Sequence, residues 1–203
     1  MLVLSSNGLS SDILMNEVNK YVTKDFRNAA IITTASVGYK INDRIIPRLT
    51  DEIKSLNLAV TYFDIDDDPV EELYHYDVIE FIGGNPYYLL NSLRQKDCAE
   101  ILHNIDKNKI IIGISAGSLV LENTIGIIDC FEAQMNDTIG LTDFTGMNLT
   151  NIQIIPHYSR FLKRYENLDE RIASYEAKNS CQVIRLNDGQ AVFIENQNNR
   201  TVG

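Results

Sequence analysis

The stretch Gly113-Ile114-Ser115-Ala116-Gly117 has the form Gly-x-Ser-x-Gly, behind the apolar run Ile110–Ile112 and ahead of the helix-compatible run Ser118-Leu119-Val120-Leu121. A serine at the apex of a strand-to-helix turn takes strained dihedrals, so the positions two before and two after it must be small. Such a turn lifts the hydroxyl clear of the sheet. It also aims the Ala116 N–H at the space beside it, where the start of the following helix favours negative charge. A second glycine-bearing loop, Gly83-Gly84-Asn85-Pro86, follows the run Val78–Ile82. Glycine lets the backbone approach a ligand closely, and the Gly84 N–H joined to that of Ala116 forms a candidate oxyanion hole, each donor of which is typically worth about 10²–10³ in rate.

A serine hydroxyl is a weak nucleophile until a base takes its proton. Of the three histidines, His75 and His103 fall inside helical or pre-strand segments, whereas His157 directly follows Ile152-Gln153-Ile154-Ile155-Pro156. Two acids are candidates to orient it. Asp188 follows a late apolar run in Asn187-Asp188-Gly189, which also reads as a hairpin turn. Asp129 lies between the serine and the histidine in 126–131. Triads are defined by geometry rather than by chain order, so both remain open at this point.

These residues need a scaffold that brings strand ends together. Short β-branched runs occur at Leu2–Ser5, Ala29–Thr34, Ala59–Asp64, Val78–Ile82, Ile110–Ile114, Ile152–Ile155 and Gln182–Leu186, with a last hairpin strand at Ala191–Glu195. They are apolar throughout, as in a parallel sheet covered on both faces. Helical patterns lie between them. One starts near Asp12 with Ile13, Leu14 and Val18 on one face. The next starts at Asn42 with Ile45, Ile46, Leu49, Ile53 and Leu56. Pro86 suits a first helical position ahead of Tyr87–Arg94. Asp97 is a candidate cap for Ala99–Ile105, and Glu166–Lys178 reads as a late helix. The alternation implies an α/β, doubly wound, mostly parallel sheet with helices on both faces and a C-terminal hairpin. No repeat, linker or composition break divides it, so residues 1–203 are expected to form a single catalytic domain. In such sheets ligands sit beyond the carboxyl ends of the strands, where Ser115, Gly84, His157 and Asp188 all fall.

Gly83-Gly84-Asn85, Gly113-Ile114-Ser115-Ala116-Gly117 and Pro156-His157-Tyr158, in this order and at these separations, resemble the dipeptidase E family, the aspartyl dipeptidases. The resemblance runs from about Leu2 to Val202. It implies a fold like the glutamine amidotransferase domain (flavodoxin-like), with serine in place of that group's cysteine. It further implies a serine exopeptidase that hydrolyses short peptides through an acyl-enzyme, with Ser115 as nucleophile, His157 as general base, and Gly84 and Ala116 as oxyanion donors. The family's late acidic turn matches Asn187-Asp188-Gly189, which favours Asp188 over Asp129 as third member. Asn85, Tyr158 and Arg171 are the implied substrate contacts. One departure concerns specificity. The family's Thr-Arg-Glu-x-Arg-Ile-like stretch is Asn167-Leu168-Asp169-Glu170-Arg171-Ile172 here. Leucine cannot supply a bidentate contact to a carboxylate, so an aspartyl preference is not expected. Arg160, Lys163 and Arg164 read as a solvated basic helix face.

Composition narrows the partners. With 28 Asp and Glu against 18 Lys and Arg, the net charge is −10. That argues against nucleic acid and an anionic membrane surface, both of which need a basic footprint. Apolar residues make up 44% of the chain, enough for a folded core. Cys98, Cys130 and Cys181 are odd in number and ungrouped, so neither a disulfide framework nor a thiolate metal site is expected. Asp64, Asp66 and Asp68 alternate like a calcium loop, but its glycine and glutamate positions hold Pro69 and His75. No metal and no cofactor is expected. No signal peptide or membrane span is visible, which makes cytoplasm the expected location, with a monomer or homodimer as the assembly. Two alternatives compete. A small serine esterase of the α/β-hydrolase type shares the elbow but places its histidine later in the chain. A non-catalytic ligand-binding domain would keep the elbow for its geometry alone.

Overall fold

A computed structural model describes residues 1–195 and 198–203. Its elements are β1 (Leu2–Ser5), α1 (Asp12–Asn19), β2 (Asn28–Ile32), α2 (Ile46–Ser55), β3 (Ala59–Phe63), β4 (Val78–Phe81), α3 (Pro86–Gln95), α4 (Cys98–Asn104), β5 (Ile110–Ile114), α5 (Ala116–Leu121), β6 (Gln153–Ile155), α6 (Tyr158–Arg164), α7 (Leu168–Asn179), β7 (Val183–Arg185), β8 (Ala191–Glu195) and β9 (Asn198–Val202). Seven strands form one sheet in the order β3-β2-β4-β5-β1-β8-β9. The first five run parallel, while β8 is antiparallel to β1 and β9 to β8. The α/β class and the C-terminal hairpin therefore hold.

β1, β4 and β5 are buried along their whole length, and β2 in all but its first residue. Side chains alternate between the two faces of a strand, so both faces of the central sheet are covered. β3 departs from this pattern. It is the edge strand, paired among the described residues with β2 alone, and four of its five residues are partly or fully exposed. β6 and β7 leave the main sheet and pair in parallel as a separate two-stranded unit. They carry the chain to His157 and Asp188.

The helices differ from expectation in three places. On α1, Leu14 and Val18 are buried but Ile13 is 61% exposed, because it lies off the stripe that Leu14 and Val18 share. The segment expected to be helical from Asn42 opens with a 3₁₀ turn at Lys40–Asn42, and α2 begins at Ile46. Proline fits only the first turn of a helix, and Pro47 sets that start. Asp97 stands at the head of α4 but makes no side-chain cap, since its backbone is left-handed. The late helix expected at Glu166–Lys178 is α7, and a further short helix, α6, precedes it, the chain passing between them through Asn167 at φ +54°.

Candidate active site

The elbow at Ser115 is strained as its spacing requires. Ser115 has φ +50° and ψ −111°, and its N–H donates to Ser5 O of the neighbouring β1 at 3.0 Å. A Cβ at Gly113 would lie 2.5 Å from Ser118 Cα, and one at Gly117 would lie 2.1 Å from Phe81 O. No side chain fits at either place, so the packing of α5 against β4 and β5 depends on both glycines.

The second loop meets the elbow directly. A Cβ added at Gly83 would lie 3.3 Å from Ser115 Cβ. Gly84 has φ +147°, and its α-carbon faces Ala35 O so closely that a Cβ would come within 2.1 Å. Among the described residues, neither the Gly84 N–H nor the Ala116 N–H donates a hydrogen bond within the protein. Both residues line a small pocket with Ser115, Leu119, Ile128, Phe131, Glu132, Met135, Pro156 and Phe161. Its free volume is about 20 Å³, room for one water-sized oxygen. Glu132 is the one charged residue in that lining.

His157 heads α6 with φ +54°. Its ring stands edge-on to Phe161, a residue of that pocket's lining, at 5.7 Å between centroids. Nδ1 lies 2.5 Å from Asp188 Oδ1. Burial moves the imidazole below its ordinary pKa, and the Asp188 carboxylate only partly opposes this. Asp188 is itself pushed up by partial burial, but hydrogen bonds from His157 and Ser6 outweigh that and hold it below the usual carboxylate range. The pair is therefore a neutral imidazole with an ionised carboxylate near neutral pH. No hydrogen bond joins Ser115 Oγ to His157 among the described residues.

Asp129 lies elsewhere. It sits in the 3₁₀ turn Gly126–Cys130 and accepts the Tyr87 hydroxyl at 2.8 Å. The expected substrate contacts also separate from the pocket. Asn85 is committed as the cap of α3, with Oδ1 accepting from Tyr87 N and Tyr88 N and Nδ2 donating to Met135 O. Tyr158 donates to Asp169 at 2.6 Å. Arg171 lines a separate shallow groove with Asp129, Cys130 and Lys178. Leu168 is a core residue, 1% exposed. Of the basic trio, Arg160 pairs with Asp188 at 3.4 Å and Arg164 with Glu132 at 3.0 Å. Asp64 and Asp66 close around Lys40 at 2.9 and 2.7 Å. His103 binds Met147 O.

Two residues were not found from the sequence. Glu132 lies in the irregular stretch after Asp129, with no motif to mark it. Ser6 donates to Asp188 Oδ1 at 2.9 Å. Its signal was available, because it directly follows the β1 run at a strand's carboxyl end.

The model of "Peptidase family S51" matches residues 1–202. The chain is 27% identical over 212 residues to Peptidase E of Shewanella denitrificans, covering all of this chain and 87% of that one. It is 28% identical over 122 residues to an uncharacterised peptidase of Pasteurella multocida, a match spanning 60% of this chain and 57% of that protein's length. Its fold is similar to the crystal structure of a putative Peptidase E from Listeria monocytogenes, with a TM-score of 0.77 at 22% identity over 98% of this chain and 96% of that one. A peptidase from an acI-B1 actinobacterium gives a TM-score of 0.65 at 18% identity, over 100% and 83%.

Proposed function

The chain belongs to peptidase family S51, the dipeptidase E family of serine peptidases, and on that premise we propose that it is an exopeptidase that cleaves short peptides through an acyl-enzyme on Ser115. The observation that carries this reading is the strained Ser115 elbow beside two N–H groups that have no acceptor among the described residues, with a hydrogen-bonded His157–Asp188 pair next to Phe161 of the pocket lining. A rotation of the Ser115 side chain, or closure on substrate, brings Oγ to His157 Nε2; such hydrogen bonds often tighten only with substrate bound. The imidazole takes the hydroxyl proton as Oγ attacks the peptide carbonyl. The developing oxyanion enters the water-sized space beside the Gly84 and Ala116 N–H groups. The same proton then passes to the leaving amine, and water releases the acyl group by the reverse path. Asp188, rather than Asp129, is the orienting acid, since Asp129 is held by Tyr87.

That water-sized space is too small for a side chain, but the largely apolar wall around it argues for a neutral or apolar residue beside the scissile bond. Leu119, Ile128, Phe131, Met135 and Phe161 line it, and its one charged member is acidic. Arg164 already pairs with Glu132 at 3.0 Å, and Leu168, a core residue, supplies no second cation to meet an aspartyl carboxylate. The enzyme works as a single catalytic unit in the cytoplasm. Among the described residues no helix is long and apolar enough to cross a membrane. A library of dipeptides and N-terminal residues, with Ser115→Ala as control, tests the reading. Turnover of peptides with apolar or neutral N-terminal residues, lost in the variant, is expected. Turnover confined to aspartyl peptides would overturn the specificity, and turnover that survives in Ser115→Ala would overturn the mechanism.

A further inference from the structure

The register of β1 brings into the site a residue that belongs to none of its motifs. β1 lies between β5, which ends in the Ser115 elbow, and β8, which follows the Asp188 turn. Ser5 pairs with Ile114 on one side and Ala191 on the other. The next residue, Ser6, is therefore level with Ser115 on one flank and with Gln190 on the other. The backbone closes both flanks: Ser115 N–H donates to Ser5 O at 3.0 Å, and Ser6 N–H donates to Gln190 O at 3.1 Å.

The Ser6 side chain is fully buried. A hydroxyl has one donor and two acceptor lone pairs. Here Oγ donates to Asp188 Oδ1 at 2.9 Å, accepts the His157 N–H at 2.8 Å, and lies 3.4 Å from His157 Nδ1. Each bond fixes something otherwise loose. Asp188 sits on a turn with its side chain 34% exposed, and the Ser6 hydroxyl selects the rotamer in which Oδ1 meets the imidazole. His157 has a left-handed backbone, which costs a non-glycine residue roughly 1–2 kcal/mol. The Ser6 oxygen takes the amide proton that this conformation turns inward.

We propose that Ser6 is a positioning residue that locks the His157–Asp188 pair into register with Ser115 through the end of β1, an inference that rests on the serine-peptidase reading above. Ser6→Ala removes both bonds while leaving the strand intact. Ser6→Cys keeps the volume with a poor hydrogen-bonding group, and Ser6→Thr keeps the hydroxyl. Two readouts are followed in the whole protein. One is the rate at which a fluorophosphonate labels it. The other is the far-downfield proton NMR resonance of an imidazole Nδ1–H held by a carboxylate. Misplacement of a catalytic group by about 1 Å costs on the order of 10²-fold. Ser6→Ala and Ser6→Cys are therefore expected to label about 10–100-fold more slowly and to lose or broaden the resonance, with Ser6→Thr restoring both. Should Ser6→Ala fail to fold, the Cys and Thr pair decides. Labelling within twofold of wild type, with the resonance intact, in a folded Ser6→Ala or Ser6→Cys variant would overturn the inference. A wild type that shows the resonance but takes no label would overturn the peptidase reading instead, and Ser6 would then be judged by the resonance alone.

Discussion

Glu80→Gln should flatten the pH dependence of this protein's stability. Glu80 is a fully buried carboxyl in the middle of β4, paired in register with Ile31 of β2 and Ile112 of β5. Neither of its oxygens has a hydrogen-bond partner among the described residues. Burial pushes its pKa from 4.5 to about 8, with the Glu52 charge adding to the rise and Arg48 opposing it. The folded carboxyl thus keeps its proton up to about pH 8, while the unfolded one releases it near 4.5. Across that window the folded state binds more protons, so its contribution is complete below pH 4.5 and is lost as pH rises through 8. At about 1.4 kcal/mol per pH unit, the window of about 3.5 units amounts to roughly 5 kcal/mol. Glutamine has the same shape and cannot titrate. Urea unfolding of both proteins at pH 5, 6, 7 and 8 isolates the effect, because the buried Glu122 contributes equally to each. The gap in stability should move in the variant's favour by about 1.4 kcal/mol per pH unit and level off above pH 8. Parallel stability curves would refute the reasoning and mean that Glu80 is solvated or paired when folded.

Two further outcomes concern the site. Asp188→Asn should lower kcat by up to about 10⁴, while Asp129→Asn changes little, because only Asp188 holds the imidazole; steady-state kinetics on the best library peptide reads this, and the reverse order would reassign the acid. Because burial lowers the pKa of His157, the acidic limb of kcat/KM should have its midpoint below 6.5, with activity rising as pH increases through it; a midpoint above that value would mean that the carboxylate dominates.

Local chemistry made part of the site legible and left part of it hidden. The elbow could be read because its steric demand is local: Gly113 and Gly117 flank Ser115 within five residues, and each is needed for a contact that tolerates no side chain. Gly84 could be read from the rule that strand ends meet at one edge of a parallel sheet; His157 and Asp188 fell to the same rule although β6 and β7, which precede them, form a separate parallel pair. Choosing between Asp188 and Asp129 depended on which acid the tertiary fold carries to the imidazole. Ser6 acts only because β1 lies between β5 and β8, a pairing of segments more than a hundred residues apart that no local pattern encodes. The exposure of β3 has the same origin, for being an edge is a property of strand order. α6 was read only as a basic face, because its seven residues follow His157 without a capping side chain. Asn85 also caps α3, a use that the N-cap preference for asparagine ahead of Pro86 could have signalled.

The central claim is that Ser115 is an activated nucleophile, and active-site labelling tests it most directly. Intact mass and peptide mapping after fluorophosphonate treatment should show a single adduct on the peptide carrying Ser115, slowed in His157→Ala and absent in Ser115→Ala. A folded native protein that takes no label, or one labelled equally in Ser115→Ala, would contradict it.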